Sequence, residues 1–262
     1  MHVWITILGI SFIFFMTTLG ASLVYFFKNE PSKKWNALFL GFASGVMLSA
    51  SVWSLLLPAV EESVQKWGKF AFVPAALGFI VGGVFLAIFD KILRSYTQKQ
   101  NRVQEKGLKS ALNLFFAVSV HNIPEGLAVG FAFGTARAIG TTPAYISALL
   151  VAFGIGIQNL PEGTAVALPL RSVLHSKNKA FLWGMVSGVF EPVFAVIGYF
   201  LARQISFLQP WLLSFSAGAM VFVTCKELIP SATGQDSDGI PYGTLAALVG
   251  FSVMMTLDLA FG

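Results

Sequence analysis

Residues 142–170 read TPAYISALLVAFGIGIQNLPEGTAVALPL, and Glu162 is the one charged side chain in the run. About 20 apolar residues in a helix cross the roughly 30 Å core of a bilayer. This run is long enough, and it lacks the alternating polarity of a barrel strand. Reading outward, seven further segments behave alike, at roughly 3–27, 36–60, 70–93, 108–134, 180–203, 209–229 and 241–262. The chain of 262 residues is 56% hydrophobic and 11% charged, with a mean hydropathy of +0.75. A soluble domain cannot hide so much apolar surface. Disorder and a disulfide-stapled fold fail on the same composition and on the lone Cys225, whose apolar flanks suggest inert packing. The expectation is an all-α integral membrane protein, one transmembrane domain over 1–262 with eight helices. The first segment does not read as a signal peptide, because it has no basic start and Lys28 follows it directly.

Basic residues orient the bundle. Thirteen of the 17 Lys and Arg fall in the connections after helices one, three, five and seven, including Arg171 in the fifth. Cytoplasmic loops carry that excess, so both termini are expected outside the cytoplasm. The net charge of +5 and pI near 9.4 are thereby used for topology, and no nucleic-acid partner is expected. Trp4, Trp35, Trp67, Trp183 and Trp211 suit an interfacial aromatic belt.

Two internal echoes set the architecture. Phe42-Ala-Ser-Gly-Val-Met47 returns as Phe215-Ser-Ala-Gly-Ala-Met220, and Leu57-Pro58 returns as Ile229-Pro230, one residue out of step. His121-Asn-Ile-Pro-Glu-Gly126 returns as Gln158-Asn-Leu-Pro-Glu-Gly163. Each pair joins an even helix to an odd one, so the related segments run in opposite directions. The prediction is a 3+2+3 inverted-repeat bundle, with a binding site near the midplane.

Polar groups in the spans mark that site. A charge at the centre of a spanning helix costs about 2.5–3.5 kcal/mol even on insertion scales, yet Glu125, Glu162 and Glu191 lie there. His121 and Asn122 precede Glu125 by four and three positions, and Gln158 and Asn159 precede Glu162 likewise, so each trio shares a helical face. Pro124 and Pro161 free the carbonyls of Val120 and Ile157 on the same helices. No Lys or Arg compensates the acids within those helices. The choice lies between protonated acids and a bound cation, and this donor set suits Zn²⁺, Fe²⁺ or Mn²⁺.

The order HNIPEG, then QNLPEG within GIGIQNLPEGTAVALPLR, with GVML on helix two and Glu191 on helix six, resembles the ZIP (Zrt/Irt-like) family of divalent metal transporters, most closely its GufA-like branch. The resemblance covers essentially the whole chain. It implies inward, gradient-driven transport of a divalent transition metal, Zn²⁺ first and Fe²⁺, Mn²⁺ or Cd²⁺ beside it, by alternating access. It also implies a paired site between helices four and five. One ion would be held by Met47, His121, Glu125, Gln158 and Glu162, and a second by Asn122, Asn159 and Glu191, with Glu125 and Glu162 bridging. The metal is substrate, two ions per protomer, and no prosthetic group is expected. Partners are the bilayer, the ions and at most a second copy in a homodimer. The expected location is the prokaryotic inner membrane. Gln158 stands where a second His is common and Asn159 where an acid occurs, which should lower affinity and zinc selectivity; Lys226, where some relatives carry His, would repel a cation. Met47 alone would read as core filler. Asp90 and Glu227 at the cytoplasmic ends, and Asp258 at the outer end, are candidate pathway acids, with pairing to Lys226, Lys91 or Arg94 the plainer role for the first two. Glu61 and Glu62 read as interfacial, and His2 and His175 as solvated. The competing functions are an intramembrane di-metal enzyme, for which the His-Glu-x-x-His and paired Glu-x-x-His patterns are missing, and a non-conducting metal sensor.

Overall fold

The computed structural model describes residues 2–27, 32–97, 105–202, 206–234 and 240–261. Among these residues, eight helices are long and apolar enough to cross a membrane: α1 (His2–Tyr25), α2 (Lys33–Val64), α3 (Gly68–Ile92), α4 (Leu114–Ile139), α5 (Thr142–Leu174), α6 (Lys177–Leu201), α7 (Gln209–Thr233) and α8 (Tyr242–Ala260). Among the described residues there is no strand. The ends follow ordinary capping chemistry. Ser32 accepts from the Trp35 N–H at the start of α2, and Ser176 from the Lys179 N–H at the start of α6. Helix α5 opens on Thr142-Pro143 and stops at His175, a left-handed residue with φ 49°. The expected connections over 28–31, 98–104, 203–205 and 235–239 lie outside the described residues.

The packing comes in symmetric pairs, as an inverted 3+2+3 repeat requires. Helix α1 packs on α5 as α6 packs on α4, and α2 packs on α8 as α7 packs on α3. Two four-helix groups result, α1/α4/α5/α6 and α2/α3/α7/α8. They meet where α2 touches α5 and where α7 touches α4, again as a symmetric pair. The small residues of the echo explain the close approach. A Cβ on Gly45 would strike the Ala247 carbonyl, and one on Gly218 would strike the Phe79 carbonyl. Small residues at such seams let helices pack without a hydrophobic drive.

The one-residue slip between the echoes has a physical cause. Both α2 and α7 loosen into a π-helical segment ahead of their proline, over Ser51–Leu56 and Thr224–Leu228. The first has six residues and the second five, so the extra residue between Met47 and Pro58 is absorbed there.

Two expectations are corrected. Arg171 is not a loop residue: it is buried within α5, and its Nη1 donates to the Val24 carbonyl at 2.8 Å. It thus places a cation and a donor at the C-terminal end of α1, where carbonyls lack helical partners. Arg171→Met should strand that carbonyl at a cost of about 1–3 kcal/mol, read as a fall of several degrees in the thermal unfolding midpoint; an unchanged midpoint would contradict the cap. Cys225 is exposed on the π segment of α7 and is not packed away.

Candidate metal centre

Helices α4 and α5 carry Pro124 and Pro161 and continue through them. Their motif faces meet α6, which is broken. Its first half runs over Lys177–Ser187 and its second over Phe190–Leu201. Pro192 has no N–H and crowds the Gly188 carbonyl four residues back. The Glu191 N–H turns to Gly188, at 3.2 Å, and the Ser187 carbonyl loses its usual donor. Asn122 Nδ2 supplies the replacement at 3.1 Å. Glu191 therefore sits in the first turn of a half-helix, where a carboxylate suits the helix dipole.

Around Glu191 the donors converge. Asn122 Nδ2 donates to Oε1 at 3.2 Å, Asn159 Nδ2 to Oε2 at 2.7 Å, and Thr17 Oγ1 to Oε1 at 2.7 Å. Alongside, Gln158 Nε2 on α5 donates to Glu125 Oε1 on α4. Glu125, Glu162 and Glu191 lie within electrostatic reach of one another. Asn122, Glu125, Gln158, Asn159 and Glu191 are fully buried, and Glu162 is 1% exposed. Among the described residues, Asn122 Oδ1, Gln158 Oε1 and Asn159 Oδ1 are buried with no hydrogen-bond partner. Buried amide oxygens without partners are costly in a low-dielectric interior, and such oxygens are ligands for a hard or borderline cation. No three His, Cys, Asp or Glu side chains form a ready-made ion site among the described residues, so amide oxygens would have to share the work.

The sequence-derived groupings are thus partly reassembled. Asn122, Asn159 and Glu191 form one hydrogen-bonded set, and Glu125 with Gln158 another. The side chain of His121 lies outside the described residues. Met47 is fully buried on α2, with its sulfur 3.9 Å from Thr224 Oγ1 of α7. Asp90, 8% exposed, is ion-paired with Lys226 across α3 and α7, and Glu227 follows Lys226 on the π segment of α7. Asp258 accepts from Ser54 at 2.7 Å and keeps Oδ2 buried without a hydrogen bond. It lines a cavity of about 510 Å³ between α2, α5 and α8 that Glu61, Trp53 and Gly154 also line, and that reaches Ile157, the neighbour of Gln158. Glu62 accepts from Gln209 of α7 at 2.6 Å, which ties it into the fold. His2 stacks on Tyr145 rather than standing in solvent, with ring centroids 4.4 Å apart.

Two site features escaped the sequence reading. The break in α6 has a signal in Gly188 and Pro192, four positions apart. Thr17 has none in its own chemistry.

Against known proteins, the model of the ZIP zinc transporter family matches residues 2–113 and 105–258. The chain is 35% identical to zinc transporter ZIP11 of Xenopus tropicalis, over 98% of this chain and 97% of that one. The human ZIP11 is 33% identical with the same coverage. Zinc transporter ZupT of Corynebacterium efficiens is 35% identical over 88% of each chain.

Proposed function

We propose that this chain, which belongs to the ZIP zinc transporter family, moves zinc into the cytoplasm through a paired metal site between α4 and α5. Membership makes it a multi-pass membrane transporter of zinc or a similar divalent ion rather than an enzyme. One observation carries the finer reading: three buried carboxylates share one interior with three amide oxygens that lack hydrogen-bond partners, in helices long and apolar enough to cross the bilayer. Cations compensate such a set where water cannot. In this reading one ion is held by Glu125, Glu162, Gln158 and His121, with Met47 adding a soft sulfur, and the other by Asn122, Asn159 and Glu191. Glu125 and Glu162 bridge the two ions.

The Asp258 cavity serves as the outer approach. Asp90 and Glu227 stand at the inner end, where the Lys226 ammonium occupies Asp90 and limits its hold on a departing ion. The two four-helix groups shift against each other along the α2–α5 and α4–α7 contacts, exposing the site to each side in turn. Both termini then face outward, as the distribution of basic residues favours. The chain resides in a prokaryotic plasma membrane, alone or as a homodimer; the bacterial ZupT match supports that location, although vertebrate relatives match as well.

Ion competition during zinc uptake into proteoliposomes tests this reading. Uptake that Cd²⁺ and Fe²⁺ suppress and Mg²⁺ does not is expected, while binding without uptake would favour a sensor. Asp258→Asn should raise half-saturating zinc roughly three- to tenfold, with the maximal rate retained, as expected for a lost long-range attraction. An unaltered half-saturation would remove Asp258 from the pathway.

A further inference from the structure

None of the residues assigned above to the metal site comes from α1, yet α1 reaches its centre. Thr17 is fully buried, and its Oγ1 lies 2.7 Å from Glu191 Oε1, against 3.3 Å to its own-helix acceptor, the Ile13 carbonyl. The hydroxyl has one proton, and the carboxylate is the nearer acceptor.

The pseudo-symmetry gives Thr17 a definite place. A Cβ on Gly126 of α4 would strike the carbonyl of Glu191, and a Cβ on Gly163 of α5 would strike the carbonyl of Thr17. Asn122 donates to the Ser187 carbonyl four residues before Glu191, and Asn159 lies 3.4 Å from the Ile13 carbonyl four residues before Thr17. Thr17 is therefore the counterpart of Glu191, and the carboxylate exists on one side of the axis only.

Three donors hold Glu191, and two of them have a competing duty. Asn122 and Asn159 turn their N–H groups to the carboxylate while Oδ1 of each stays buried without a hydrogen bond. A cation takes the amide oxygen and not the N–H group. Oδ1 and Nδ2 lie in one rigid amide plane, so an ion drawn to Oδ1 turns the whole group and loosens its bond to Glu191. Thr17 has no such conflict. Its carbonyl bears on Gly163, and its methyl fills the room left at Gly188, where an added Cβ would come within 2.8 Å of Thr17 Cγ2.

Building on the transport reading above, we propose that Thr17 is a positioning residue. Its hydroxyl keeps Glu191 in the ligating orientation while Asn122 and Asn159 turn to take an ion on Oδ1, and so sets how tightly the second ion is held. The test uses Thr17→Val, Thr17→Ala and Thr17→Ser in purified full-length protein. Zinc uptake is measured in proteoliposomes and zinc binding by calorimetry. A lost hydrogen bond to a charged group corresponds to about tenfold or more. Thr17→Val should therefore raise half-saturating zinc and weaken the second binding step about tenfold, with the maximal rate within threefold of the parent. Thr17→Ser, which restores the hydroxyl, should stay within twofold on both measures. The proposal is overturned if Val matches the parent, if Ser is as impaired as Val, or if neither Val nor Ala yields folded protein. A parent that neither binds nor transports zinc would instead overturn the transport reading, so the two failures are distinguishable.

Discussion

Glu125→Ala and Glu162→Ala are each expected to lower zinc uptake by at least a hundredfold, down to the leak of protein-free vesicles. Either substitution takes one charge from a set of three that would face two divalent ions, and removes an oxygen that would bridge them. The fold should survive. A buried carboxylate in a spanning helix is a cost rather than a support, and Gln158, which bonds to Glu125, can turn to present oxygen. The variants should therefore elute as the parent does and unfold within a few degrees of it. Uptake at the parent rate in both would reject the pathway.

The second large effect is structural. Gly126 and Gly163 end the two repeated motifs, and each lies under a carbonyl of the facing helix, Glu191 in one case and Thr17 in the other. Any side chain there must push a helix backbone away, not a flexible side chain. Gly163→Val should cost more than the roughly 1–3 kcal/mol of ordinary core overpacking. It should separate α1 from α5 and leave no monodisperse protein on size exclusion. Gly126→Val should do the same to α4 and α6. Recovery of Gly163→Val with the parent's unfolding midpoint would mean that the two backbones do not approach as described.

These glycines also mark how far the sequence was legible. Long apolar runs and opposed echoes carry the helix count and the inverted repeat, because both follow from hydrophobic length and from small residues at fixed spacing. The acids and amides of the centre were legible because a charged or amide side chain has little reason to lie in a spanning helix. What escaped depends on tertiary geometry. The π segments of α2 and α7 left only a one-residue slip between Pro58 and Pro230. The break in α6 arises because Pro192 denies Gly188 a donor, which frees the Ser187 carbonyl for Asn122. Thr17 is a common residue in a membrane helix, and only its position opposite Glu191 distinguishes it. Arg171 was assigned to a loop because a cation near a helix end usually is solvated; here the end of α1 supplies a carbonyl to receive it. Cys225 was read as packed from its apolar flanks, but the π turn carries it to the surface.

Anomalous diffraction at the zinc edge, from crystals grown with zinc, tests most directly whether cations offset the buried acids. Two peaks are expected between α4 and α5, about 3.5–4 Å apart as in other paired metal sites. Carboxylate oxygens of Glu125 and Glu162 should lie about 2.0–2.2 Å from each ion, with Glu191 on the ion nearer α6. A well-ordered map with no peak between those helices, or with zinc only at surface residues, would contradict the account.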